Sequence, residues 1–247
     1  MSTIYILWLR QLKRYFRSTA RMIGSIGQPL LFLVALGFGF GPIYQKAGGG
    51  DYMQFLAPGI IAMGILFTGM FMGIEIIWDK QFGFLKETLV APVSRMSIMI
   101  GRTLGGATVA IMQGIIIFLI SLLIGFHPNF QSVGIAIVFM VLIAMLFTGI
   151  GTAIASLVDD MQGFPLIMNF LVMPIFFLSG ALFPLEGLPN IITFIARIDP
   201  LSYGIDGMRG AFTGIASFGF FNDFAILAAI TLIVLAIGAY LFSKIEI

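Results

Sequence analysis

Asp79-Lys80-Gln81-Phe82-Gly83-Phe84-Leu85-Lys86-Glu87-Thr88-Leu89-Val90-Ala91-Pro92-Val93-Ser94-Arg95 interrupts an otherwise oily chain, and a short apolar run then leads to Gly101-Arg102. Lys80, Lys86, Arg95 and Arg102 are its cations, with Asp79 and Glu87 interleaved. Phe82, Leu85 and Leu89 recur at three- and four-residue spacing, which predicts a short amphipathic helix that Pro92 stops. Apolar runs long enough to cross a bilayer flank the stretch on both sides. It therefore reads as a segment outside the membrane between two spanning helices, placed to dock into a soluble partner. Composition alone favours the plainer alternative, a solvated loop.

The whole chain supports the membrane setting. Of 247 residues, 60% are hydrophobic and only 10% are charged, whereas a soluble domain carries about a quarter charged residues. Such a chain cannot cover its surface with charge. Cysteine is absent, so neither a disulfide framework nor a thiolate metal site is available. The N-terminus shows no short apolar run ending in small residues, and no cleaved signal peptide is expected. The basic residues track the membrane boundary instead of forming a basic domain, which argues against nucleic acid.

Residues 1 to 21 are basic and amphipathic. On a helical wheel Ile4, Leu7, Trp8, Leu12, Tyr15 and Phe16 fall on one side, and Arg10, Lys13, Arg14, Arg17 and Arg21 on the other. This predicts an interfacial helix, apolar face down and basic face toward anionic headgroups. A spanning helix needs about 20 mostly apolar residues. Six runs qualify, near residues 22–43, 55–77, 103–126, 133–158, 164–183 and 223–242. Pro29 and the Gly37, Gly39, Gly41 run suggest a kink or an early end in the first. Pro165 and Pro174 suggest a break in the fifth. With the N-terminus inside, the inner segments hold ten of the 13 Lys and Arg residues, leaving Lys46, Arg197 and Arg209 outside; the positive-inside rule favours that orientation, with the C-terminus inside as well. The fold expected is all-α, a single polytopic membrane domain over 1–247, without repeats.

Gly69-x-x-x-Gly73 and Gly101-x-x-x-Gly105 place small residues one turn apart, where helices can approach closely. Packing within the chain explains them more simply than a dimer face. Residues 184–222 are too long for a tight turn and too apolar for a free loop. Leu188, Ile191, Ile192 and Ile195 make one patch, and Ile205, Met208 and Phe212 another. Two short helices re-entering the outer leaflet would bury both, with Asp199, Asp206 and Arg209 pairing and capping them.

Chemistry of the usual kinds is missing. The sequence holds no Gly-x-x-x-x-Gly-Lys-Ser/Thr phosphate loop and no zinc motif, and its one histidine is His127. No catalytic, cofactor or metal residues are expected. Apart from Asp223 at the start of the last run, Glu75 is the only acid inside a proposed span; it is expected to snorkel or to meet Lys80, with function as the alternative. Gln113 and Asn169 either line a path or bond across helices. A secondary transporter would show mid-membrane acids or paired interrupted helices in two repeated halves, and neither is evident. An external motor is the reading that remains.

Ser179-Gly180-Ala181-Leu182-Phe183-Pro184-Leu185-Glu186-Gly187-Leu188-Pro189 is followed by Asp199-Pro200-Leu201-Ser202-Tyr203-Gly204-Ile205-Asp206-Gly207-Met208-Arg209. This pattern closely resembles the signature of type-2 ABC export permeases, a family of bacterial drug, polysaccharide and nodulation-factor exporters. The basic N-terminal helix, the six spans and the Lys86–Arg95 stretch are similar to that family too. The resemblance implies a pair of permease domains, a homodimer by analogy, with two cytoplasmic ABC ATPase subunits on separate polypeptides. ATP and magnesium would sit on those partners, with no cofactor on this chain. Residues 78–102 would be the coupling segment, with Lys80, Phe82, Phe84, Leu85, Lys86 and Glu87 seated in an ATPase groove. Residues 1–21, through Arg10, Lys13, Arg14 and Arg17, would be the interface helix. Asp199, Pro200, Tyr203, Asp206 and Arg209 would belong to the outer re-entrant pair. The apolar interior points to a lipophilic cargo, drug or lipid, leaving the cell membrane. Export of a lipid-linked polysaccharide is the alternative, and a membrane scaffold or a secondary transporter the readings of another class.

Overall fold

Backbone in hydrocarbon must satisfy its own hydrogen bonds, and the apolar runs of this chain fold accordingly as helices. The computed structural model describes residues 2–84 and 93–244, and among these there is no strand. The helices are α1 (Thr3–Arg17), α2 (Thr19–Lys46), α3 (Tyr52–Phe71), α4 (Ile74–Gln81), α5 (Arg95–Ile124), α6 (Val133–Leu157), α7 (Gly163–Leu178), α8 (Asn190–Ile198), α9 (Pro200–Thr213) and α10 (Phe220–Ser243). Local chemistry sets several ends. The side chains of Ser2, Asp51, Ser94 and Asp199 cap α1, α3, α5 and α9, and Pro200 occupies the first turn of α9, where its missing N–H costs nothing. Gly125 closes α5 at φ 116°, a left-handed conformation open to glycine.

α3 is the axis of the bundle. Leu56, Ile60, Ile61, Ile65 and Leu66 are wholly buried on it, and α2, α5, α6, α7 and α9 pack around it. After Met72 and Gly73 it continues as α4, and together they run 30 residues, Tyr52–Gln81. The contact with α6 is backbone to backbone: a β-carbon on Gly73 would collide with the carbonyl of Gly151, and one on Gly151 with the carbonyl of Met70. On α5, Gly101 and Gly105 receive Leu7 and Gln11 of α1. Both small-residue pairs thus serve packing within the chain.

Among the described residues, five helical stretches are long and apolar enough to cross a membrane: Thr19–Lys46, Tyr52–Gln81, Arg95–Ile124, Phe130–Leu157 and Phe220–Ser243. Gly163–Leu178, the fifth candidate of the sequence, has 16 residues and falls short of the usual length. The first candidate does not end early; its helix runs unbroken through Pro29 to Lys46. α2 and α7 each bury a single stripe, Pro29, Leu33 and Gly37 on one, Phe164, Met168, Val172 and Phe176 on the other. Leu31, Phe38, Leu166 and Phe170 point away and are exposed.

Long-range hydrogen bonds mark the two ends. At one, Lys80 meets Asp159 at 2.9 Å, Arg95 donates to the carbonyl of Ser243 at 2.6 Å, and α1 lies against α4. At the other, Tyr52 Oη donates to the carbonyl of Leu182 at 2.7 Å, the Gln54 amide meets the backbone of His127, and Asn129 N–H reaches the carbonyl of Phe212 at 2.7 Å.

Candidate functional site

The first end is built on two acids. Glu75 and Asp79 are one turn apart on α4 and share a face, and both are almost wholly buried. A buried carboxylate needs partners, and four arginines supply them. Arg14 Nη1 lies 3.5 Å and Arg21 Nη1 2.7 Å from Glu75, while Arg10 Nη2 lies 3.3 Å from Asp79 and Arg102 Nη2 donates to it. Arg14 also comes within 3.7 Å of Asp79. The clamp ties α1, α2 and α5 to α4, the helix that leads into the charged stretch. The indole of Trp78 lies beside it, with the Arg14 and Arg21 guanidiniums 5.5 and 5.7 Å from its ring centre.

Two expectations change here. Glu75 does not meet Lys80; its partners are Arg14 and Arg21. The N-terminal helix does not lie apolar face down with its whole basic face free. Its apolar side packs into the glycine groove of α5, with Trp8 Nε1 donating to Thr108 at 3.0 Å and Tyr15 Oη to Gln113 at 3.0 Å. Arg10 and Arg14 turn to the acids of α4, and only Lys13 and Arg17 of the four named cations are exposed.

Lys80 belongs to the fold at this end as well. Its Nζ donates to the carbonyls of Ser156 at 3.0 Å and Val158 at 3.4 Å, and pairs with Asp159. A cation at the carbonyl end of α6 is well placed for the helix dipole. Phe82 and Phe84 are 68% and 51% exposed, large aromatics turned outward at the start of the charged stretch. Leu85, Lys86 and Glu87, with the short helix expected before Pro92, lie outside the described residues.

A cavity of about 420 Å³ opens beside the clamp, bordered by α1, α2, α3, α4 and α7. Asn169 lines it, together with Arg21, Ser25, Gln28, Phe67 and Trp78. Gln113 lies behind its wall and is fully buried; its Oε1 accepts from Tyr15 Oη and Ser25 Oγ. Gln113 thus bonds across helices, while Asn169 borders the open space.

At the other end two short helices form as α8 and α9, but only one is covered. Ile205, Met208 and Phe212 of α9 are buried against the bundle, whereas Ile191 and Ile195 of α8 remain exposed. Asp199 caps α9 through the N–H of Leu201 at 2.9 Å, and Tyr203 Oη donates to the carbonyl of Arg197 at 2.6 Å. Burial pushes the Asp199 carboxyl up to about 7, against the lowering by that backbone bond. Asp206 accepts from the N–H groups of Ser217 and Phe218, each at 2.8 Å. Arg209 does not form an ion pair with either acid; it donates to the carbonyls of Phe55 and Gly180 and stacks 3.9 Å over the Phe55 ring. The reason is position: both oxygens of Asp206 are aimed at the 217–218 turn. Asp206 and Arg209 line a chamber of about 770 Å³, together with Gln54, His127 and Ser217.

The sequence missed the clamp as a unit. The signal was the spacing, because Glu75 and Asp79 are four apart and so are Arg10 and Arg14, but nothing in the sequence sets the two faces together. The fold does not bring together α4 and the acids Asp199 and Asp206; they belong to opposite ends.

Comparison with known proteins bears on both ends at once. The family model for ABC-2 type transporters matches residues 2–213, from α1 through α9. The chain belongs to the ABC-2 type transporter family. It is similar to "Putative transport permease ycf38" of Cyanophora paradoxa, 29% identical over 83% of this chain and 72% of that one. Nodulation protein J of Rhizobium leguminosarum bv. trifolii is 28% identical over 85% and 78%. The ycf38 permease of Porphyra purpurea is 32% identical over 78% and 68%. Membership makes this chain a transport permease and not an enzyme, with ATP hydrolysis on a separate subunit. ABC-2 permeases work with ABC ATPase subunits, and the apolar helices fit a multi-pass protein of the cell membrane.

Proposed function

We propose that this ABC-2 permease forms the membrane path of an ATP-driven exporter, moving a lipophilic drug or lipid out of the cell. Six crossings, both termini inside, a second copy of the chain and two ATPase subunits complete the reading. The clamp is the observation that carries it. A push on the charged stretch reaches α4 directly, and four arginines spread it to α1, α2 and α5. Coupling of this kind requires contacts that differ between two states, and the outward aromatics Phe82 and Phe84 suit a surface that meets a partner in one of them. Six crossings are supported by the ends of α7: Asp159, before it, neighbours Lys80, while Leu182, after it, neighbours Tyr52. The uncovered apolar faces of α2 and α7 leave room for lipid or a second copy.

Gentle extraction of the tagged chain should bring down a phosphate-loop ATPase. Phe84→Ala combined with charge reversal at Lys86 and Glu87 should leave the folded permease in the membrane and uncouple ATP hydrolysis from transport. Normal transport by that variant removes the coupling role from the stretch, and absence of any ATPase in the extract removes the exporter.

A further inference from the structure

We infer that the cavity beside the clamp binds an amphiphile whose head is anionic and rich in hydrogen-bond acceptors, the head against Arg21 and Trp78 and the chain along Met63, Phe67 and Phe71. This rests on the permease reading and gives its cargo a chemical class. Charge is the first argument. Among the described residues, the acids paired with Arg10, Arg14, Arg21 and Arg102 are Glu75 and Asp79, so the clamp keeps a surplus of two positive charges there. Lys80, the next cation on α4, is taken up by Asp159 and two carbonyls.

The cavity wall also carries groups left unpaired. Trp78 lines the space, and its buried N–H has no partner among the described residues. Gln113, behind Tyr15 and Ser25, spends its oxygen on those two hydroxyls, and its buried Nε2 likewise has no partner among the described residues. Both unmet groups are donors; Trp78 belongs to the cavity lining while Gln113 lies behind it, and a buried donor without an acceptor is unfavourable. A head of phosphate or sulfate type supplies acceptors and the missing negative charge together.

The walls give the third argument. Polar groups gather toward Arg21, Ser25 and Gln28 on the first half of α2, and apolar side chains run along the second half of α3. A volume of about 420 Å³ lies within the usual range for small-ligand sites. It holds a head and the beginning of one chain, not a whole two-chain lipid, so the remainder would lie outside against the exposed apolar faces of α2 and α7.

Native mass spectrometry of the full chain in neutral detergent tests this with dioleoyl phosphatidic acid, dioleoyl phosphatidylcholine and inorganic phosphate as probes. One phosphatidic acid should bind per chain, about tenfold tighter than phosphatidylcholine, the loss expected when a charge-assisted hydrogen bond is removed. Trp78→Phe, which keeps the ring and deletes the N–H, and Arg21→Gln should each weaken that binding. Lys244→Gln, which removes a positive charge away from the cavity, should not. Because the chain has two tryptophans, a Trp8→Phe background leaves Trp78 as sole reporter, and its emission should shift with phosphatidic acid. Equal binding of the two lipids, unchanged binding in Trp78→Phe and Arg21→Gln, or full displacement by millimolar phosphate would each overturn the inference. A chain that captures its ATPase yet lacks the lipid preference loses the site and keeps the permease reading. One that prefers phosphatidic acid through Trp78 but captures no ATPase does the reverse.

Discussion

Arg102 and Asp79 are each under 5% exposed, so neither charge can fall back on water. Asp79→Ala would strand the guanidinium, and removing one partner of a buried pair costs about 3–5 kcal/mol. A steep fall in the unfolding temperature in detergent is expected, partly restored by Arg102→Met in the same chain. Asp199 behaves differently. Its carboxyl is held at about 7 in the folded protein, against an ordinary 3.8. The folded state therefore holds this proton more tightly than the unfolded chain does. The contribution is full below the unfolded value and is lost as pH rises through 7. Asp199→Asn keeps an acceptor for Leu201 N–H and cannot ionise. Unfolding temperatures compared at pH 5 and pH 8 should differ less in that variant than in the parent. An unchanged difference would place the titration elsewhere.

Between helices, the glycines separate contact from slack. At Gly73 an added methyl meets backbone, which no rotamer change can relieve, and Gly73→Ala should cost about 1–3 kcal/mol by overpacking. Gly24 on α2 has open space around its missing side chain, so Gly24→Ala should be neutral or slightly stabilising. Unfolding temperatures for the two variants in one detergent check the contrast. At this level the sequence was a good guide. Runs expected at 133–158 and 223–242 became Val133–Leu157 and Phe220–Ser243, because hydrocarbon leaves an apolar run little choice but helix. Where it failed, it failed over rotation. Periodicity finds the faces of α1 and α4 but not which faces meet, so Glu75 drew the wrong partner and α1 was laid on lipid instead of in the groove of Gly101 and Gly105. The same limit hid the difference between α8 and α9, whose apolar patches look alike until one is seen to be covered.

Across the whole molecule, the absence of cysteine makes topology directly measurable. Single cysteines at Lys46, His127 and Arg197 should react with an impermeant maleimide added to intact cells, and those at Lys13 and Ser94 only after the membrane is opened. Arg197 decides whether the 16-residue α7 crosses: protection there would reduce the count to five. In the proposed orientation the clamp lies on the inner side, where the membrane voltage acts on it. The resting potential of a cell, negative inside, favours cations at that face, and moving a charge fully across costs about 2.3 kcal/mol per 100 mV. The clamp's surplus of two charges resists outward displacement with about twice that. An energised membrane would thus hold this end of the permease in place, and a working stroke that carried the clamp outward would slow as the voltage rose.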